Sequence, residues 1–331
     1  MSAIQPGTAA STIALSVVLP TCGRMDLLDR CLDALTRQSL PGALYEVIVV
    51  DDEPNHNTLH LVAGWRARTL DRGPRLVYLP NSNQHGPAAA RNLGWRSARA
   101  PVIAFTGEDT VASPGWLAQG LAGLTDQVDV LCGRLDLAAA GRSGQLEQAA
   151  GDGFSAANCF CRKTLLEQLK GFDERFEQAS HCDADLHFRL LARAARIVQA
   201  PEARVVRPVQ PMRWGASLAR TRDVVFDALL YKKHPQLYRE RIAAAPPWDD
   251  YLAVAALLVT LGALLAGSGG IALIAGLGWV ALTARLCRQR LRGITHTAAH
   301  VADVVVTSAL IPPLAVFWRL LGAIRYRVRF S

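Results

Sequence analysis

Up to about residue 242, short β-branched and apolar runs alternate with stretches in which apolar residues recur at helical spacing. "IALSVVLP", "YEVIVVDDE", "RLVYLP" and "VIAFTGED" predict strands. "RMDLLDRCLDALTRQ", "TLHLVAGWRA" and "GPAAARNLGWRSAR" predict the helices between them. Strand, helix, strand in this rhythm implies βαβ units and a largely parallel sheet covered on both faces, an α/β fold. Ligands bind such sheets beyond the carboxyl ends of the strands. Those ends read "PTCGR", "DDEPN" and "TGEDT", so polar groups gather where a site is expected.

The pattern changes after "AAAPPWDD". Residues 251–284 carry no charge, a run too long for one membrane-spanning helix of about 20 residues. The central "GSGG" breaks it, so two short helices in a hairpin are expected. The basic segment "RLCRQRLR" follows at 285–292, then a second apolar segment at 301–324, then "RYRVRF". Both flanks of that second segment are basic and "IPP" interrupts it, which predicts a bent, re-entrant or interfacial pair of helices. The expected organisation is a flexible N-terminus at 1–12, an α/β domain at 13–245 and a membrane-associated helical region at 246–331.

Composition narrows the partners. The chain has 331 residues, half of them hydrophobic, and a net charge of +8. Such a balance suits a membrane surface or a phosphorylated ligand. Nucleic acid is excluded, because the basic residues are scattered and no basic–aromatic stripe or zinc-finger spacing appears. The seven cysteines are irregularly spaced and no secretory signal precedes them, which points to a reducing compartment. Cys159 and Cys161 have no second pair to complete a zinc site and read as alternating residues of a buried strand.

Taken in order, "SVVLPTCGRMDLLDRCLDAL", "EVIVVDDEPN", "GPAAARNLGW", the "ED" ahead of "SPGWL" and "GFDERFEQASHCDADLHFRL" resemble a family 2 glycosyltransferase of bacterial type with C-terminal membrane helices. The resemblance covers about residues 13–240. It implies a GT-A fold, a doubly wound mixed sheet, and a nucleotide-diphosphate sugar as donor. Thr21 and Arg24 then line the nucleotide. One of Asp51 and Asp52 binds the base, and the other is a turn or capping acid. Arg91 reaches the pyrophosphate or is an exposed helical arginine. The family's Asp-x-Asp falls on Gly107, Glu108 and Asp109. Asp109 keeps the position that holds Mg²⁺ or Mn²⁺, Glu108 lies beside the nucleotide, and the first acid is lost at Gly107.

By the same resemblance Asp183 stands where the family has its catalytic base, with Cys182 in place of the usual glutamate. In an inverting transfer the base takes the acceptor hydroxyl's proton as the sugar leaves the nucleotide diphosphate. Capping of the helix through "LHFRLLARA" is the alternative role for Asp183, and Asp185 supports the acceptor side. "QPMRW" spells the Q-x-x-R-W signature of processive synthases. Five residues with two wildcards arise easily, so the signature is read as coincidence, with Trp214 kept as an acceptor-side candidate. The expected acceptor is a lipid-linked sugar or cell-surface glycan precursor at the inner membrane, with the α/β domain in the cytoplasm. A polyprenyl-phosphate acceptor is the alternative within enzymes, and an inactive nucleotide-binding membrane scaffold is the alternative outside them.

Overall fold

Three strands of the first unit, 15–21, 45–51 and 102–106, are almost wholly buried and mostly apolar, as strands covered on both faces must be. The computed structural model describes residues 13–82, 86–138, 146–148, 154–208, 214–291 and 298–329. The N-terminus, 1–12, lies outside the described residues. The chain divides into two units, Met1–Gln210 and Pro211–Ser331.

In the first unit, β1 (Leu15–Thr21), α1 (Met25–Thr36), β2 (Tyr45–Asp51), α2 (His56–Arg68), β3 (Arg75–Pro80), α3 (Pro87–Ser97) and β4 (Val102–Thr106) follow the predicted alternation. Next come β5 (Val111–Ala112), α4 (Trp116–Gly123), β6 (Val130–Ala138), β7 (Leu146–Gln148), β8 (Asn158–Arg162), α5 (Lys163–Leu169), α6 (Ala179–Ala192) and β9 (Ile197–Pro208). The sheet runs β3-β2-β1-β4-β8-β6-β9-β5, with β7 beside β6. Strands β1 to β4 run parallel to one another. β8 runs antiparallel to both β4 and β6, so the sheet is mixed.

Register decides where chemistry can gather. Thr21 pairs with Asp51, and Asp51 with Pro80, so three strands end level. Helix α1 buries Leu28, Leu32 and Leu35 against this sheet. Helix α3 lies closer still: a Cβ on Gly94 would fall 2.4 Å from Val18 Cγ1 and 3.1 Å from Val50 Cγ2. Cys159 and Cys161 are buried in β8, as the alternation predicts.

The second unit is helical: α7 (Ala216–Thr221), α8 (Val225–Lys233), α9 (Pro235–Arg241), α10 (Trp248–Leu265), α11 (Gly269–Leu291) and α12 (Ala298–Tyr326). The uncharged run forms α10 and α11, separated at Gly267, whose φ of +73° suits a residue without Cβ. Both helices turn leucines and isoleucines outward, among them Leu258, Leu265, Leu273 and Ile274. The expected break at "IPP" is corrected: α12 is one continuous helix with Pro312 and Pro313 inside it. Packed neighbours let a helix tolerate the lost amides. Arg290 of α11 ties itself to this helix one turn before the prolines, donating to Thr307 Oγ1 at 2.8 Å and Ser308 Oγ at 3.0 Å. Helices α10, α11 and α12 are each long and apolar enough to cross a membrane.

Candidate active site

The end of β1 is organised by Glu108, which is 4% exposed. Its Oε2 accepts from Thr21 Oγ1 at 2.5 Å and from the Cys22 amide at 3.3 Å. Its Oε1 accepts from Arg24 Nε at 2.6 Å. A buried carboxylate is stable only when so satisfied. Glu108 therefore fixes the loop between β1 and α1, leaving half of the Arg24 side chain in solvent.

Two acids end β2. Asp51 is fully buried; its Oδ2 accepts from Tyr78 Oη at 2.9 Å and from the Asn55 amide at 3.3 Å. Its Oδ1 is buried and meets no hydrogen-bond partner among the described residues. Asp52 accepts from Asn81 Nδ2 at 2.6 Å and from the Gly86 amide at 2.7 Å. Gly86 stands immediately before α3 with φ +116°, so its amide points at Asp52 only because it lacks Cβ.

The same helix carries Arg91. Its Nη1 donates to Asp183 Oδ1 at 2.9 Å and to Cys182 Sγ at 3.1 Å, and its guanidinium lies 5.3 Å from the Phe172 ring centre. Burial works against the charge on Arg91, but the Asp183 carboxylate beside it outweighs burial and holds its pKa above the ordinary value. Asp183 Oδ2 accepts from the Ala156 amide at 3.0 Å. Arg91 is thus buried and aimed at Asp183 rather than exposed. Burial pushes the Cys182 thiol up, so it stays neutral and leaves the guanidinium's charge to Asp183.

The capping alternative is corrected. Helix α6 begins at Ala179, so Asp183 and Asp185 lie past its first turn, and its N-cap, Gln178, makes no side-chain bond. Cys182, Leu186 and Leu190 are its buried positions at four-residue spacing, which carries the helix back through "SHCDADL". Asp185 is fully buried against Arg189 Nε at 2.8 Å. Arg189 also donates to the carbonyls of Leu169 and Gly171, both at 2.8 Å, so this pair braces α6 against the end of α5.

Asp109 stands apart, with Arg207 Nε of β9 3.2 Å from its Oδ2. Trp214 belongs to the second unit and is 66% exposed; residues 210–213 of its motif lie outside the described residues.

Residues 16–173 match the sequence model described as Glycosyl transferase family 2. They form a family 2 glycosyltransferase domain. The chain is 36% identical over 118 residues to a validoxylamine A glucosyltransferase of Streptomyces hygroscopicus subsp. jinggangensis, a match covering 35% of this chain and 27% of that protein. A mannosyltransferase from Pyrobaculum calidifontis, solved with GDP-Man and Mn²⁺, superposes with a TM-score of 0.53 at 19% identity, over 95% of this chain and 86% of that one. Staphylococcus aureus TarS superposes with a TM-score of 0.52 at 18% identity, over 95% of this chain and 89% of that one. The fold is GT-A.

In this family 2 domain the cation question turns on Asp109. No group of three or more histidine, cysteine or acidic side chains forms a metal site among the described residues. A small hard cation nevertheless asks for as few as one protein carboxylate when phosphates and waters complete its shell. Asp109, 23% exposed and at the strand end, fits that minimum, whereas Glu108 is consumed by its three donors. Sequence reasoning missed Asn81, Tyr78, Arg207 and the amides of Gly86 and Ala156. Backbone donors leave no side-chain signal, and Arg207 lies on a strand far along the chain.

Proposed function

We propose that this chain is an inverting glycosyltransferase that moves a sugar from a nucleotide diphosphate to an acceptor hydroxyl at a membrane surface. The observation that carries the reading is Asp183, a carboxylate 13% exposed, oriented by Arg91 and the Ala156 amide, and free of any capping duty. Its carboxylate takes the acceptor's proton while the acceptor oxygen bonds to the anomeric carbon and the bond from that carbon to the diphosphate breaks. Asp51 and Asp52 at the end of β2 receive the base and ribose, and Thr21, Arg24 and Glu108 line the nucleotide. Asp109 would hold Mg²⁺ or Mn²⁺, which supplies charge neutralisation for the leaving diphosphate when bound. Arg91 serves by holding Asp183 in place.

The three apolar helices support action at a membrane, on a lipid-linked sugar or a glycan precursor. The basic residues in the last turns of α11, Arg285, Arg288 and Arg290, support a cytoplasmic placement of the family 2 domain at the inner membrane. A polyprenyl-phosphate acceptor is a second reading. It is favoured by Lys232, Lys233, Arg239 and Arg241 in α8 and α9, just ahead of the first apolar helix. A screen of nucleotide sugars for donor hydrolysis and transfer tests the proposal: one or more donors should be turned over. Nucleotide binding with no turnover of any donor would leave the scaffold reading instead.

A further inference from the structure

Arg207 belongs to none of the motifs, yet its Nε lies 3.2 Å from Asp109 Oδ2. Among the described residues no other cation makes an ion pair with Asp109, and Arg24 acts on it through charge alone. The 3.2 Å approach is a charge contact and not a locked bond: the Arg207 Nε–H is buried and makes no hydrogen bond among the described residues. A third of the side chain is in solvent, so it has room to swing. Glu108 makes the contrast plain, since three donors hold it in place.

Each acid that follows β4 has an arginine beside it. Glu108 is matched by Arg24, Asp109 by Arg207, and Gly107 adds no acid. A cation arriving alone meets an Asp109 already paired with Arg207, whereas a diphosphate meets two guanidinium groups of the kind that grip phosphate oxygens in pairs.

We propose that Arg207 is the resident counter-ion of Asp109 and a contact for the donor's diphosphate. It rests on Asp109 until a diphosphate arrives, transfers to the phosphate oxygens, and so uncovers Asp109 for the cation. The inference rests on Asp109 as the cation ligand in the proposed function. No covalent bond changes: Arg207 exchanges one anionic partner, Asp109, for another, the diphosphate.

The test uses the full chain in detergent. Mn²⁺ alone is titrated without nucleotide, following the electron paramagnetic resonance of the free ion, on wild type, R207Q, R207M and R207Q/D109N. Removing the guanidinium should tighten Mn²⁺ binding by about two- to fivefold, the scale of one partly exposed ion pair, and the gain should vanish in R207Q/D109N. Calorimetry with uridine or guanosine diphosphate in EDTA should show weaker binding to R207Q and R207M than to wild type. R207M keeps the packing of the aliphatic stem and serves where R207Q does not fold. Unchanged or weaker Mn²⁺ binding in the folded variants overturns the proposal, as does a gain that survives in R207Q/D109N. Absence of sugar transfer by wild type would overturn the proposed function while leaving these affinities readable.

Discussion

Glu108 shows how far residue-scale reading goes. Two acids after a buried strand announce a site, but spacing alone cannot say that one of them faces inward. The structure turns Glu108 back onto Thr21, the Cys22 amide and Arg24. Glu108→Gln replaces one acceptor oxygen with an amide that donates, so it must lose at least one of these bonds. Hydrogen bonds to a charged group contribute about 1.5–3 kcal/mol each. The variant should therefore unfold at lower denaturant by about that amount and bind nucleoside diphosphate more weakly. Equilibrium unfolding and calorimetry check both; unchanged values would show that Glu108 is dispensable to the loop. Asp183 was singled out as a candidate acid, and the structure seats it between Arg91 and the Ala156 amide, but its helical setting was not legible. That depended on Cys182 acting as an apolar position, which a polar reading of "SHCDADL" hides.

At the scale of elements, α3 links the two ends of the site. Its first amide neighbour, Gly86, holds Asp52, and one turn on Arg91 holds Asp183. The helix can do this because Gly94 lets it settle on β1 and β2. Gly94→Ala gains up to about 1 kcal/mol of helix propensity. It loses about 1–3 kcal/mol to overpacking against Val18 and Val50. Net destabilisation is expected in urea titration, with transfer activity falling alongside; an unchanged or raised midpoint would mean that α3 rides higher on the sheet. The alternation of strands and helices through β4 was readable because buried parallel strands and amphipathic helices differ in period. The later strands were not, since β6, β8 and β9 pair out of chain order and no local pattern encodes their partners.

At the scale of the molecule, composition already separated a polar α/β unit from an apolar helical one. The hairpin was legible from "GSGG", while the continuity of α12 was not, because prolines in a helix are tolerated only through neighbours that a sequence does not show. The outward leucines and isoleucines of α10 and α11 lie along helices that are long and apolar enough to cross a membrane. The chain should therefore stay with the membrane pellet after an alkaline carbonate wash. Release into the supernatant would make these helices a peripheral or protein-binding surface.

The central claim is that Asp183 is the base of a sugar transfer, and Asp183→Asn tests it most directly. The variant keeps the side chain's shape and cannot accept the proton. It also leaves Arg91 buried without its anion, so stability must be measured together with activity. For the folded fraction, nucleotide-sugar binding should persist while transfer to a hydroxyl acceptor falls about 10²- to 10⁴-fold. Wild-type specific activity in the folded Asp183→Asn variant would contradict the account and reduce Asp183 to a counter-ion for Arg91.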